Sequence, residues 1–173
     1  STKVYDSMVA VRKEVEMLDA YMSLMCYRYS DIIYRSEIEP GALDIEIPNF
    51  ILQPLLENSL MHGLKDRRYQ GTIILKIYRN EQDKNELNIW LIDDGIGIPD
   101  DKMAELNAYN AKDSEALYRV QTRTEGDRTH LGVINVISRL KLYYQENAEV
   151  IYMRNETGGT TVKIKIKTAS EET

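Results

Sequence analysis

Apolar residues near the N-terminus recur with the spacing of a helix that has one apolar face. From Val4 to Ile32 they alternate between steps of four and three residues, and Arg, Lys, Glu and Asp fill the positions between them. An a/d pattern held over four heptads predicts one long helix over residues 4–32. Such a helix can lie on its own domain. Its length favours instead a coiled-coil or bundle helix whose partner lies in another chain.

The pattern changes at Pro40 and Gly41, which interrupt a helix and predict a boundary. Alternating residues at 43–47 predict a short strand. The stretch LQPLLENSLMHGL at residues 52–64 then has helical spacing, with Asn49 as a plausible cap.

Four strands and one more helix follow in the pattern. Apolar, β-branched runs at 72–79 and 86–92 flank a polar turn and predict a hairpin. Residues 131–144 return to helical spacing. A strand at 149–153, the turn at Gly158-Gly159 and the alternating run 161–167 complete the chain. The class is therefore α+β, with a mostly antiparallel sheet covered by helices on one face and a long N-terminal helix attached.

The segment from Asp100 to Arg128 is polar and lacks strong periodicity. A stretch of this length inside a compact domain predicts a functional lid or a mobile loop.

Composition narrows the class of protein. A chain of 173 residues suits one domain, or one domain with an appendage. The net charge of −6 argues against a nucleic-acid surface, which needs clustered Lys and Arg. A single cysteine, Cys26, excludes a disulfide framework within the chain and fits a reducing, cytoplasmic setting. No apolar run approaches the length of a membrane span, and the polar, amphipathic N-terminal stretch is not the pattern of a signal peptide. The missing initiator Met suggests a fragment.

The helix at 52–64 carries an unusual polar face. At about 100° per residue its leucines fall on one arc, and the opposite arc holds Gln53, Glu57, Asn58, Met61 and His62. Asn and Glu both offer oxygen to a hard cation. Taken alone, however, an Asn or His on a helix is more often an ordinary polar contact than a ligand.

Two further motifs are weak when taken singly. Asp93-Asp94-Gly95-Ile96-Gly97 ends a strand with a carboxylate and two glycines, which permit a close backbone approach but are also common in turns. Thr129 to Asn135 places Gly132 at the opening of a helix, where free N–H groups and the helix dipole suit phosphate.

The order of these motifs is more specific than any one of them. A helix with E-N-x-x-x-H-G, a strand with D-x-G-x-G, a lid, a second helix with an N-terminal glycine and a G-G-T hairpin together resemble the GHKL nucleotide-binding domain. LQPLLENSLMHGL, HLGVINVISRL and EVEMLDAYMSLMCYRY resemble bacterial sensor histidine kinases of the LytS/YesM type, over about residues 10–168. The resemblance implies a two-layer Bergerat sandwich at 37–170 with its lid at 100–129. It also implies that residues 1–36 are the end of a dimerisation and phosphoacceptor region.

The resemblance also implies roles for single residues. Asn58 would bind the Mg²⁺ that bridges the ATP phosphates, and Glu57 beside it would polarise a water, aid phosphoryl transfer or add a metal contact. Asp93 would hydrogen-bond the adenine amino group. The other implied nucleotide contacts are His62, Gly95, Gly97, Ile98, His130, Leu131, Gly132, Asn135 and Thr160.

Two positions depart from the family pattern. Met61 stands where a basic residue is often found, so that phosphate contact is absent or supplied by Lys65, Arg119 or Arg123. His130 stands where the usual box has glycine, which loosens the phosphate argument.

A phosphoacceptor histidine is also missing, since His62 and His130 both lie in nucleotide motifs. The acceptor is expected upstream of Ser1, in a membrane receptor whose cytoplasmic catalytic domain this chain forms. The expected partners are ATP, the phosphoacceptor helix and a response regulator. The full-length protein is expected to be a homodimer, and this fragment to contact neither nucleic acid nor membrane.

The expected activity is phosphoryl transfer from Mg·ATP to histidine, dominated by positioning and charge neutralisation. One alternative is a degenerate nucleotide-binding or protein-interaction module. Another is an ATP hydrolase or serine kinase of the same fold.

Overall fold

The computed structural model describes residues 7–123 and 131–168. Its elements in chain order are β1 (Met8–Ala10), α1 (Val11–Arg28), β2 (Ile32–Ile38), β3 (Glu46–Pro48), α2 (Leu52–Ser59), β4 (Gly71–Arg79), β5 (Glu86–Asp93), α3 (Asp100–Ala108), α4 (Ser114–Arg123), α5 (Leu131–Tyr144), β6 (Ala148–Arg154) and β7 (Thr160–Lys167).

The main sheet has five strands in the order β2-β4-β5-β7-β6. The β2 strand runs parallel to β4, and the three other pairings are antiparallel. The short strands β1 and β3 pair separately. The prediction of an α+β fold with a mixed, mostly antiparallel sheet is confirmed, and so are both predicted hairpins.

Alternation along the strands gives the sheet two different faces. Ile73, Leu75 and Ile77 of β4 are buried, whereas Lys76 and Tyr78 between them are only partly covered. The buried face contributes to one core together with apolar residues of α1, α2 and α5. The helices therefore cover the inner face, and the outer face carries lysines and aromatic rings.

The N-terminal helix is shorter than predicted. Residues 8–10 form β1 and residues 32–38 form β2, so the prediction of one helix over 4–32 is wrong at both ends, and residues 4–6 lie outside the described part. Sheet pairing overrides the heptad at Ile32 because the β-branched Ile32 and Ile33 suit a strand. The a/d residues within the helix are buried in this chain's own core, which contradicts a partner chain at those positions: Val11, Val15, Leu18 and Met22.

The predicted boundary between residues 36 and 37 falls inside β2. This strand is in register with β4 along its whole length, from Ile32 opposite Gly71 to Ile38 opposite Ile77. The assignment of residues 1–36 to the end of a dimerisation region stays a prediction.

The predicted lid contains regular structure. Residues 100–108 and 114–123 form α3 and α4, with a 3₁₀ turn at Tyr109–Ala111 between α3 and Lys112. Leu106, Tyr109 and Leu117 are buried, so this segment has an apolar side that the weak periodicity concealed. Residues 124–129 of the predicted lid lie outside the described residues.

Candidate functional site

A carboxylate from α1 holds the start of α2. Glu14 is buried, and its Oε1 accepts hydrogen bonds from the backbone N–H groups of Ile51 at 2.7 Å and Leu52 at 3.5 Å. The N-cap position of the helix is occupied by Ile51, so the expectation that Asn49 occupies it is wrong. A negative charge at a helix N-terminus is favourable, because the first N–H groups lack partners and the dipole is positive there.

The end of α2 changes its hydrogen-bond pattern. Residues Leu60–Leu64 form a π-helical turn, in which the N–H of Lys65 donates to the carbonyl of Leu60. Such turns are rare and often occur at functional sites. The carbonyl of Gly63 in this turn accepts a hydrogen bond from the N–H of Ile96 at 3.0 Å. The π-turn thereby fastens the polar helix to the glycine turn after β5.

Asp93, at the end of β5, is the centre of this cluster. Its side chain is buried, and Oδ1 accepts hydrogen bonds from the N–H of Gly95 at 2.9 Å and of Thr160 at 3.2 Å. Oδ1 therefore fixes the orientation of the carboxylate, and Oδ2 has no donor among the described residues.

Burial raises the pKa of Asp93 above its ordinary value. The N–H groups of Gly95 and Thr160 act in the opposite direction because they stabilise the charged form, and the neighbouring Asp94 raises the pKa further. A buried carboxylate with a raised pKa is typical of a ligand-binding position.

Glycines bring three backbone segments together around Asp93. A Cβ at Gly95 would collide with the backbone of Gly63, and one at Gly159 would collide with the backbone of Asp93. Gly97 has φ of +81°, which other residues rarely adopt, and a Cβ there would lie 2.5 Å from the carbonyl oxygen of Gly158. The D-x-G-x-G spacing is therefore required by packing alone, before any ligand binds.

On the polar face of α2, Glu57 contacts Gln53 of the same helix and lies near Tyr21 of α1. Glu57 accepts a hydrogen bond from Nε2 of Gln53 at 3.1 Å. It also lies near Tyr21 of α1, since its charge is the second cause, after burial, that raises the pKa of the Tyr21 phenol. Asn58 directly follows Glu57, and His62 directly precedes Gly63. Both side chains are half-buried.

The α5 helix brings only part of the third motif into the described structure. A Cβ on Gly132 would lie 3.7 Å from Cβ of Pro54, so the first turn of α5 lies against the first turn of α2. Leu131 is half-buried, and Gly132 and Asn135 are exposed. His130 lies outside the described residues.

The structure thus brings together Asp93, Gly95, Gly97 and Thr160, with Ile98 buried beside them. It places α2 and the start of α5 side by side. Among the described residues, neither Glu57 nor Asn58 is hydrogen-bonded to Asp93. The polar face of α2 and the carboxylate of Asp93 are therefore two separate groups.

Sequence analysis missed several residues that shape the site. Gly63 faces the carboxylate, and Asn155 donates from Nδ2 to the carbonyl oxygen of Asp93 at 2.8 Å. Asp94 accepts from the N–H of Thr72 at 2.7 Å, and Arg67 donates to the carbonyl oxygen of Asp94 at 2.7 Å. The small Gly63 after a polar helix face was the one available signal. The other contacts span the sequence too widely to be inferred.

The side chains near Asn58 decide how a metal ion could be held. In the described part of the chain, no group of three His, Cys, Asp or Glu side chains is placed to hold one. Mg²⁺ commonly takes only one or two protein ligands and completes its shell with water and phosphate oxygens. Asn58, with Glu57 beside it, fits that role and not that of a self-sufficient metal centre.

Comparison with known proteins identifies the family. The family described as histidine kinase-, DNA gyrase B- and HSP90-like ATPase matches residues 44–170. The chain belongs to this family, which confirms the resemblance inferred from its motifs.

Its curated relatives include sensor proteins. The chain is 34% identical over 159 residues to the sensor protein LytS of Oceanobacillus iheyensis, covering 91% of this chain and 25% of the relative. It is 30% identical over 169 residues to LytS of Staphylococcus epidermidis, covering 95% and 26%. It is 25% identical over 164 residues to the sensor histidine kinase YpdA of Escherichia coli, covering 93% and 25%. The chain thus spans about a quarter of the length of these relatives.

Solved structures share the fold. The histidine kinase domain of the Erythrobacter litoralis blue-light activated kinase matches with a TM-score of 0.59 at 18% identity, over 96% of this chain and 65% of that one. The catalytic domain of histidine kinase ThkA matches with a TM-score of 0.64 at 11% identity, over 95% and 98%. In the part of the chain that the structure describes, no helix is both long and apolar enough to cross a membrane.

Proposed function

We propose that this chain is the catalytic domain of a two-component sensor histidine kinase, binding Mg·ATP and transferring its γ-phosphoryl group to a histidine outside this chain. The observation that carries the proposal is the state of Asp93. A buried carboxylate with Oδ1 fixed by two backbone N–H groups presents Oδ2 as a directional acceptor. That geometry suits the exocyclic amino group of adenine, since an amine has two protons to donate.

The crowded glycines support the same assignment. Gly63 lies so close to Asp93 that a Cβ there would approach Oδ1 to 3.1 Å. A flat base fits between backbone segments only where side chains are absent. We propose that Gly95, Gly97, Ile98 and Thr160 line this adenine end.

The phosphate end would lie between α2 and α5. Asn58 would hold Mg²⁺, with Glu57 near the reacting group, and the first turn of α5 would offer N–H groups to phosphate through Leu131 and Gly132. Bound Mg²⁺ would supply neutralisation of charge on the phosphates. The protein would position the γ-phosphoryl group, and His62, Asn135 and His130 would shape its surroundings.

Transfer to a histidine-bearing helix supplied in trans tests the proposal. The wild type with Mg·ATP should label that helix with acid-labile phosphate, and Asn58→Ala should bind ATP but transfer at least about a hundredfold more slowly. Labelling of serine, or release of phosphate to water alone, would favour a serine kinase or a hydrolase of the same fold.

One observation favours a degenerate module as the second candidate. Met61 is 49% exposed and brings no positive charge to the helix face, where related kinases often carry a basic residue. If the chain is a kinase, the exposed Lys65, one turn further on, would supply that charge instead. Mg·ATP binding without any transfer to histidine would support the degenerate module.

The same proposal extends to the full-length protein of which this chain would be a part. The parent would be a membrane receptor that dimerises, this chain would form part of its cytoplasmic side, and the phosphohistidine would pass its phosphoryl group to a response regulator.

A further inference from the structure

The two edge strands of the five-stranded sheet, β6 and β2, differ in whether other residues bond their outward-facing backbone groups. At β6, the side-chain amide of Asn107 bonds both backbone groups of Tyr152, with Nδ2 donating to the carbonyl at 2.8 Å and Oδ1 accepting from the N–H at 2.7 Å. Asn110 bonds Val150 in the same two-way manner. These side chains replace a neighbouring strand, so the β6 edge is closed to another chain.

The β2 edge has no such cover among the described residues. The carbonyl of Asp31 accepts from Gly71, and the N–H of Glu39 donates to Ile77, so the odd-numbered residues between them turn their backbone groups toward β4. Backbone groups alternate along a strand. Those of Tyr34, Ser36 and Ile38 therefore point away from the sheet, and no described residue is hydrogen-bonded to them.

The side chains at this edge leave it open to a strand of matching charge. Ile33 is 52% exposed, β2 contains no proline, and its two exposed charged residues, Arg35 and Glu37, have opposite signs. A seven-residue strand with free backbone groups and an exposed apolar side chain is a template for pairing with another strand.

We propose that β2 pairs with β2 of a second copy of this chain, antiparallel about a two-fold axis at Ser36, joining two five-stranded sheets edge to edge. This axis places Ser36 opposite Ser36 and Tyr34 opposite Ile38, which are pairs whose free backbone groups face each other. Six backbone hydrogen bonds can form in this register, two at each of three residue pairs.

Charge selects this register over its neighbours. With the axis at Ser36, each Arg35 lies opposite Glu37 of the other copy, on the outer face of the sheet, and the contact occurs twice. An axis at Arg35 would oppose two arginines, and an axis at Glu37 would oppose two glutamates, which is unfavourable for directly facing cross-strand pairs. Glu37 already pairs with Lys76 of its own chain at 3.5 Å, and Lys76 would border the new contact.

The interface is small, since it involves one short strand from each copy. Interfaces below about 1,200 Å² are typical of weak, transient complexes. The dimer should therefore form at high protein concentration, and more completely where two copies are tethered together.

Sedimentation equilibrium of the full 173-residue chain tests the pairing, from about 1 µM to about 1 mM in about 0.15 M salt, where the repulsion due to the net charge of −6 is screened. The wild type should change from monomer to dimer over this range. Arg35→Glu and Glu37→Arg should each weaken the dimer about tenfold, and the double variant should recover most of that loss, because the opposed pairs become attractive again.

Two further variants separate pairing from general effects. Lys167→Glu replaces a positive by a negative charge, as Arg35→Glu does, but on β7, three strands away from the β2 edge. It should leave the dimer unchanged. Ser36→Pro removes an N–H that points away from β4, so it should abolish the dimer and leave the monomer folded. A wild type that is monomeric at about 1 mM would overturn the proposal, and so would a double variant that stays as weak as the single ones.

Discussion

The backbone N–H of Thr160 donates to Oδ1 of Asp93 at 3.2 Å, joining residues 67 positions apart. This bond closes the hairpin strand β7 onto the end of β5 and fixes which carboxylate oxygen remains available. The turn glycines Gly95 and Gly159 permit the close approach. The predicted D-x-G-x-G and G-G-T motifs therefore meet at the carboxylate of Asp93.

The substitution Asp93→Asn should stabilise the fold at neutral pH. The amide keeps Oδ1 as an acceptor for both N–H groups and removes the buried charge. Because the folded pKa of Asp93 is raised, the carboxylate destabilises the folded state at pH above that pKa, and this cost disappears as the pH falls below the ordinary value of 3.8. Urea unfolding should show a higher midpoint for the variant at pH 7 and a shrinking difference toward pH 4.

A variant at Asp93 that is less stable at pH 7, by an amount that does not change with pH, would mean that burial of charge is not the controlling factor.

Adding one methyl group at Gly63 should block the adenine end of the site. Its Cβ would lie 3.1 Å from Oδ1 and 3.4 Å from Oδ2 of Asp93. We expect Gly63→Ala to weaken Mg·ATP binding at least about tenfold, which is about 1.4 kcal/mol. Calorimetric titration measures this, and unchanged affinity would show that the nucleotide does not enter beside Gly63.

At Gly132, unlike Gly63, an added Cβ would have room. The nearest atom would be Cβ of Pro54 at 3.7 Å, an ordinary contact distance. Alanine favours a helix over glycine by up to about 1 kcal/mol, so Gly132→Ala should raise the free energy of unfolding. If phosphate approaches this turn, the same variant should bind Mg·ATP more weakly. Gains in both stability and affinity would remove Gly132 from the site.

Glu14 should matter through the acceptor that it provides. Glu14→Ala leaves the buried N–H of Ile51 without its 2.7 Å partner and should lower the free energy of unfolding by about 1–3 kcal/mol. Glu14→Gln retains Oε1 and should lose less. Urea denaturation of both variants measures the difference, and equal losses would point to the charge rather than the hydrogen bond.

Local patterns predicted the sheet because alternation along a strand is set by the sequence of that strand alone. Both hairpins and the helix at Leu131–Tyr144 follow from such patterns. The heptad at the N-terminus identified an apolar face, but not what covers it. Ile32 fits the last step of the heptad pattern, but it also suits a strand, and in the structure it is the first residue of β2.

The candidate site was predictable at Asp93 and its glycines because their spacing is local. The capping of α2 by Glu14 joins residues 37 positions apart and has no local signal. The π-turn at Leu60–Leu64 places the carbonyl of Gly63 against the N–H of Ile96, and this contact is also tertiary. Sequence thus located the chemical groups, and packing decided their orientation.

The measurement that tests the central claim most directly is calorimetric titration of the chain with ATP and Mg²⁺, for the wild type and for Asp93→Ala. Circular dichroism would first establish that the variant is folded. We predict that the wild type binds ATP and that the variant does not, because Oδ2 of Asp93 is the acceptor for the adenine amino group. A wild type that binds no ATP, or a folded variant that binds it equally well, would contradict a nucleotide site at Asp93.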